Sequence, residues 1–142
     1  MTEAVDEPNV KLAVPFFNVS DMDIATRFYT EALGFKITKT WEPEGKLRWC
    51  WMELDGVAMM LQRRNLEKPA PAEPGANATI SFQCKDALAI YHRVKAKGIH
   101  LEKPFVGNGM WVVTIYDPDG FRLEFESITD AAEGTELDEL PA

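Results

Sequence analysis

The sequence repeats one order of structural signals. In residues 10–63 and again in residues 77–127, a strand pattern leads to a helix that begins after an Asp and ends at a Gly, and further strands follow. The two helix-ending glycines, Gly34 and Gly98, are 64 residues apart, and the Asp-Gly turns before the last strands have the same separation. Repetition at constant spacing predicts two βαβββ modules and an α+β fold.

The elements follow from apolar periodicity and turn residues. Helices are predicted after the N-cap residues Asp21 and Asp86, because their apolar residues recur at spacings of three and four. Alternation and turn signals predict strands at 10–19, 35–41, 47–54 and 57–62, and at 77–84, 99–105, 110–116 and 121–126. With so few helices, each sheet is covered on one face only. The other face must meet its counterpart or line a cleft, so we expect curved mixed sheets around a cleft.

Charge is distributed unevenly along the chain. The net charge is −8, yet residues 9–127 contain equal numbers of acidic and basic side chains. The eight excess acids lie in two predicted acidic tails, 1–9 and 128–142, whose composition is typical of solvated segments. Three prolines predict a linker at 64–76 between the modules at 10–63 and 77–127. Any charge selectivity at a binding site must therefore come from a few placed residues.

Composition excludes several functional classes. An acidic chain is a poor nucleic-acid partner, and no apolar run approaches the ~18 residues of a membrane span. Cys50 and Cys84 form neither a disulfide framework nor a metal motif, so we expect free thiols on the core side. These observations favour a cytoplasmic protein without nucleic-acid or membrane partners.

Hairpin geometry predicts which side chains share a face. A tight turn at Asp55-Gly56 places residue 51 opposite 60 and residue 49 opposite 62. Trp49, Trp51, Met60 and Gln62 should then share the open face of the first sheet, joined by Phe16 and Asn18 if the first strand alternates normally. The same reasoning about the turn at 117–120 assigns Trp111, Val113, Ile115, Arg122, Glu124 and Glu126 to the open face of the second sheet. Apolar residues mixed with a few polar groups suit a ligand cleft, although a core role for the tryptophans is an equal alternative.

Several of these motifs together resemble the vicinal oxygen chelate superfamily, which includes glyoxalase I, extradiol dioxygenases, and fosfomycin- and bleomycin-resistance proteins. The resemblance covers residues 10–127 and rests on Val19-Ser20-Asp21, Phe28-Tyr29, Leu33-Gly34-Phe35, Asp117-Pro118-Asp119-Gly120 and Leu123-Glu124-Phe125. It implies paired βαβββ modules whose cleft is commonly completed in a homodimer.

The resemblance also implies where a metal would bind. Enzymes of this superfamily hold a divalent cation through four inward His and Glu residues, on the first and last strands of each module. The matching positions here are Val14, Met60, Thr79 and Glu124, of which only Glu124 is a good ligand. We therefore expect no metal site and no cofactor.

Other catalytic arrangements are weakly supported by the sequence. Ser20 and Ser81 have no His and Asp partners, and the two histidines, His92 and His100, favour structural or surface roles. Glu124 and Glu126 share a strand face with Arg122, so Glu124 could act as a general base. Alternatively, Glu126 is solvated and Glu124 pairs with Arg122 as a structural contact.

Two functions remain after these exclusions. The first is a bleomycin-resistance-like protein that sequesters an antibiotic or metabolite, with ligand contacts from Phe16, Asn18, Trp49, Trp51, Met60, Gln62, Thr79, Trp111, Val113, Arg122 and Glu126. The alternative is a lyase, isomerase or dioxygenase with an atypical or absent metal and with Glu124 as the catalytic residue. A third possibility is an interaction protein that uses its acidic tails. The first function needs only a shaped cleft, a small-molecule partner and a second copy of the chain.

Overall fold

The computed structural model describes residues 8–69 and 78–138. Parts of the predicted tails 1–9 and 128–142 and of the predicted linker 64–76 lie outside the described residues. The elements run in two successive groups: β1 (Phe16–Val19), α1 (Met22–Arg27), β2 (Lys36–Trp41), β3 (Trp49–Leu54) and β4 (Val57–Arg63), then β5 (Thr79–Gln83), α2 (Ala87–Ala96), β6 (Phe105–Gly107), β7 (Met110–Tyr116) and β8 (Arg122–Ile128). None of the helices in these two stretches is long and apolar enough to cross a bilayer.

The two modules have the same strand order. The first sheet is ordered β1-β4-β3-β2 and the second β5-β8-β7-β6. In each, the first strand pairs in parallel with the last, and the other pairings are antiparallel. The predicted βαβββ repeat and the α+β class are therefore confirmed, as two four-stranded mixed sheets with few helices.

Both helices begin as their sequences predict. The Asp21 carboxylate accepts a hydrogen bond from the Ile24 amide at 3.0 Å, and the Asp86 carboxylate accepts one from the Ala89 amide at 3.2 Å. The first helix continues beyond Arg27 as a π-helical stretch, Phe28–Ala32, before Gly34 turns the chain at a φ of 90°.

Two predicted strands are shorter than their sequence patterns suggest. β1 begins at Phe16 instead of residue 10. The strand predicted at 99–105 is largely wrong, because β6 is Phe105–Gly107 and shares only Phe105 with that range. Each begins directly after a proline, Pro15 or Pro104. Proline has no N–H to donate to a ladder, so regular pairing starts at the next residue.

The helix-covered faces of both sheets contribute to one core. Phe17 stacks on Phe121 with ring centroids 3.9 Å apart, and Phe35 meets Phe82 edge to face. In the described parts of the chain, three hydrogen bonds and two ring contacts join the modules, and all five come from helix-side or loop residues. The opposite, open faces of the two sheets therefore point away from the shared core.

The acidic C-terminal segment is not simply solvated. Val106 donates a hydrogen bond to the Thr135 carbonyl at 2.8 Å, and Leu137 donates to the Pro104 carbonyl at 2.9 Å. The Glu133 carboxylate accepts from the Asn108 amide at 3.0 Å. These bonds cover β6, which is short and would otherwise be an unpaired sheet edge.

Candidate functional site

The open face of the first sheet carries most of the tryptophan in the protein. The row Lys36, Glu53 and Ala58 lies at one end of this face. The tryptophans belong to two other rows of cross-strand neighbours: Trp41, Trp49, Gln62 and Asn18 in one row, and Lys39, Trp51, Met60 and Phe16 in the next. We call these eight residues the tryptophan face. Three of the four tryptophans of the chain belong to it.

The predicted register of this face is confirmed. Trp49 pairs with Gln62 and Trp51 pairs with Met60. Asp55 and Gly56 have φ values of 50° and 83°, as a two-residue hairpin loop requires. Cys50 and Met52, which point the other way, are completely buried. Phe16 and Asn18 also lie on the predicted side of β1.

The tryptophan face is apolar and accessible. Trp41 is 58% exposed and Phe16 is 45% exposed, while Trp49, Trp51 and Met60 are half-buried. The Lys39 ammonium lies 5.1 Å from the Trp51 ring centroid, so this ring already accepts a cation on its π face. Planar or cationic groups can therefore stack here without displacing a core side chain.

The open face of the second sheet is polar. The exception is the end of the face nearest β6, where the apolar residues Phe105, Met110 and Ile128 lie. Its three more polar rows are Thr79, Arg122 and Tyr116, then Ser81, Glu124 and Thr114, then Gln83, Glu126 and Val112. We call these nine residues the carboxylate face. Both predicted carboxylates lie on it, separated by one residue along β8.

Hydrogen bonds hold the carboxylates in place. Arg122 Nη2 forms a 2.7 Å ion pair with Glu124 Oε1, which is the structural pairing that the sequence suggested. Ser81 Oγ donates to Glu126 Oε1 at 3.1 Å and accepts from Gln83 Nε2 at 3.1 Å. The Arg122 Nε atom is buried and has no hydrogen-bond partner in the described residues. It is a donor that a ligand oxygen could satisfy.

The predicted open-face positions of Trp111 and Val113 are wrong. Trp111 pairs with Ser127, whose hydroxyl accepts a hydrogen bond from the Ala87 amide at the start of α2. Val113 is 1% exposed and belongs to the core together with Ile115. All three side chains therefore face the helix, while Val112, Thr114 and Tyr116 occupy the open face.

The cause is the length of one loop. The prediction placed Tyr116 opposite Phe121, but Asp117 pairs with Phe121 and Tyr116 pairs with Arg122. Gly120 donates to the Asp117 carbonyl and has a φ of 87°, which defines a three-residue loop with a left-handed last residue. A shift of one residue moves every β7 side chain to the other face. The Pro-Asp-Gly sequence could have identified this loop.

The positions at which the superfamily holds its metal do not fit a cation here. Val14 precedes β1, and the strand neighbours of Met60 and Glu124 are Phe16 and Ser81. Thr79 lies beside Arg122 and not beside Glu124. By strand pairing, the first-strand metal position of the second module could be either Thr79 or Ser81. With either residue, Glu124 is the one strong metal ligand among the four positions. Within residues 8–69 and 78–138, no group of three His, Cys, Asp or Glu residues is arranged to hold a metal.

The remaining reactive side chains lie away from both faces. His92 and His100 are exposed, on α2 and in the segment after it. Both cysteines are free, Cys50 buried and Cys84 half-buried. Burial raises the pKa of each thiol, which lowers its reactivity near neutral pH.

Comparison with known proteins places the chain in a family. Residues 11–125 match the Glyoxalase/Bleomycin resistance protein/Dioxygenase superfamily. The uncharacterized protein YurT of Bacillus subtilis (strain 168) is 33% identical over an alignment of 119 positions, and the match covers 76% of this chain and 91% of that protein.

Two solved structures show the same fold at lower identity. TnmS3, an antibiotic binding protein from Streptomyces sp. CB03234, superposes with a TM-score of 0.67 at 20% identity and covers 87% of this chain and 100% of its own. Lactoylglutathione lyase from Agrobacterium tumefaciens has a TM-score of 0.65 at 18% identity, covering 84% of this chain and 95% of its own. The family match, the YurT relative and the paired βαβββ modules establish that this chain belongs to the Glyoxalase/Bleomycin resistance protein/Dioxygenase superfamily.

Proposed function

We propose that this protein binds a small organic molecule, an antibiotic or a metabolite with a planar aromatic part, and sequesters it without transforming it. The observation that carries the proposal is the tryptophan face: Trp41, Trp49 and Trp51 lie side by side on an open sheet surface together with Met60. Each stacked ring contributes apolar burial and a directional contact to a flat ligand.

The carboxylate face supplies the complementary wall. Glu124 and Glu126 favour a cationic or hydrogen-bond-donating group, and Arg122 Nε favours an oxygen acceptor. One aromatic wall and one polar wall would orient an amphipathic ligand, whereas two aromatic walls would not.

A second copy of the chain is part of the proposal. Because the helix sides of both sheets meet in one core, the tryptophan face and the carboxylate face of one chain point away from it. A homodimer in which the tryptophan face of one chain meets the carboxylate face of the other would enclose two equivalent clefts and exclude water from both. Light scattering on the purified protein tests this state.

The residue types at the superfamily's metal positions favour binding over catalysis. Val14, Met60 and Thr79 offer no strong ligand, and the Glu124 carboxylate is already engaged by Arg122 at 2.7 Å. The comparison with TnmS3 supports the fold and not a ligand, since the identity is 20%. A lyase, isomerase or dioxygenase activity using Glu124 is the alternative.

Tryptophan fluorescence tests the proposal directly. We expect saturable quenching by at least one member of a panel of aromatic and cationic antibiotics that includes bleomycin. Trp51→Leu should weaken that response at least tenfold, while Trp111→Phe, on the helix side of the second sheet, should leave the affinity unchanged. No saturable response in the panel, or equal losses in the two variants, would contradict the proposal. Stoichiometric Ni, Zn, Fe or Mn in the purified protein would favour the enzymatic alternative.

A further inference from the structure

Two arginines lie directly opposite each other in the first sheet. The Arg63 amide donates to the Arg48 carbonyl at 3.0 Å, one position beyond the Trp49–Gln62 pair. Strand alternation from Leu61 and Cys50 places both side chains on the helix side, opposite to the tryptophan face. Side chains paired in this way have Cβ atoms roughly 4.5–5.5 Å apart.

Neither guanidinium forms an ion pair with a residue in the described part of the chain. No Asp or Glu oxygen within residues 8–69 and 78–138 lies within 4.0 Å of Arg48 or Arg63, although both side chains are half-buried. Like charges directly opposite in an antiparallel pair destabilise the sheet. The pair therefore has an electrostatic cost that an anion between the two guanidinium groups would offset.

Both arginines open into a cavity of about 510 Å³. Lys46 adds a third positive charge to the lining, which also includes Asp21 and Asp23. The Asp21 carboxylate is committed to the Ile24 amide, as the N-cap of α1. The lining thus combines three cationic side chains with the Asp23 carboxylate, and the cavity volume suits a small molecule.

We propose that this cavity binds a phosphate monoester whose other end carries an amine or hydroxyl group. The planar forks of two arginines match the oxygen atoms of a phosphate, and Lys46 adds a diffuse positive charge. The Asp23 carboxylate, which also lines the cavity, accepts a hydrogen bond from the amine or hydroxyl group. The site is separated from the tryptophan face by the thickness of the sheet, so it does not depend on the function proposed above.

Thermal unfolding and calorimetry on the full chain test the site, with inorganic phosphate and phosphoethanolamine as probes. At matched ionic strength, we expect both probes to raise the Tm above its value in chloride, and phosphoethanolamine to bind more tightly. Arg63→Gln and Arg48→Gln should each weaken phosphoethanolamine binding at least tenfold. Without a probe, neither variant should have a lower Tm than the parent, because each substitution removes one of two like charges that repel each other.

Arg64→Gln is the matched control. It removes the same charge from the next residue, but Arg64 does not line the cavity and instead donates to the Lys68 carbonyl. Arg64→Gln should bind both probes with the affinity of the parent. Trp51→Leu, on the opposite face of the sheet, should also bind them with the affinity of the parent. Equal Tm values in phosphate and chloride, or an equal loss of binding in Arg64→Gln and Arg63→Gln, would overturn the proposal.

Discussion

Tyr29 donates a 2.7 Å hydrogen bond to the Asp117 carboxylate, 88 residues further along the chain. Tyr29 is completely buried in the π-helical stretch after α1, and Asp117 opens the loop between β7 and β8. The other Asp117 oxygen accepts from the Asp119 and Phe121 amides, both at 2.9 Å. One carboxylate therefore shapes the loop that sets the register of the second sheet and also joins the two modules.

Removing the Tyr29 hydroxyl should loosen the junction between the modules. Tyr29→Phe leaves an Asp117 oxygen buried without its donor, and an unsatisfied buried group costs about 1–3 kcal/mol. We expect a loss of that size in the free energy of unfolding, measured in urea. The control is Tyr116→Phe on the carboxylate face, where the side chain is 52% exposed and the change should stay within about 0.5 kcal/mol. Equal losses in both variants would contradict this role of Tyr29.

The Asp117 carboxyl makes stability depend on pH. Burial raises its pKa above the ordinary value of 3.8, although the hydrogen bonds from Tyr29, Phe121 and Asp119 act in the opposite direction. A raised pKa in the folded state means that the stability contribution of this group is complete below pH 3.8 and is lost as the pH rises through the folded pKa.

Asp117→Asn removes that titration and retains one acceptor oxygen. The free energy of unfolding of the parent should therefore fall relative to that of the variant as the pH rises from 3.8 through the folded pKa, and the difference should be constant at higher pH. Denaturant titrations of both proteins across this range measure it. A pH-independent difference, or one that changes in the opposite direction, would show that the Asp117 pKa is not raised.

Adjacent phenylalanines on β1 should respond differently to truncation. Phe17 is 5% exposed and stacks on Phe121 of the other module, whereas Phe16 lies on the tryptophan face. Phe17→Ala should cost about 3–5 kcal/mol of unfolding free energy, typical of a buried aromatic ring, and Phe16→Ala much less. Similar losses from the two variants in chemical denaturation would show that the faces of β1 have been assigned wrongly.

The two thiols should differ in accessibility. Cys50 is completely buried and Cys84 is half-buried, and burial raises the pKa of both. With a chromogenic disulfide reagent at about pH 8, we expect one slow-reacting thiol in the native protein and a second that reacts only on unfolding. Cys84→Ser should abolish the native-state reaction and Cys50→Ser should preserve it. Two thiols that both react as fast as a small free thiol would contradict the burial.

Much of the fold follows from local signals. The helix starts are predicted correctly from the capping residues Asp21 and Asp86, and the first hairpin from the two-residue turn at Asp55-Gly56. Each of these signals involves only three or four neighbouring residues. The register of that hairpin then places Trp49, Trp51 and Met60 on one face. Half of the candidate site could therefore be read from the sequence.

In the second half of the site, the predicted face is correct for Arg122, Glu124 and Glu126 on β8 and wrong for β7. A loop one residue shorter than predicted reverses the faces of β7, so Trp111 and Val113 exchange places with Val112 and Thr114. Asp117 selects that loop through three hydrogen bonds, and one of them comes from a residue in the other module. A hydrogen bond between residues far apart in sequence, such as that of Tyr29 with Asp117, produces no periodic sequence pattern from which a loop length could be predicted.

The sequence by itself determined the repeated βαβββ order, the helix caps and six of the eight residues of the tryptophan face, because periodicity and turn chemistry act over short stretches of chain. Trp41 and Lys39 joined that face only through the pairing of β2 with β3. Only the tertiary structure decided that the helix sides of the two sheets share one core and that the C-terminal segment pairs with β6. It likewise decided that Arg48 faces Arg63 in a cavity. Packing and strand pairing between residues far apart in sequence decide these three features. In this chain they determine which surfaces remain accessible to a ligand.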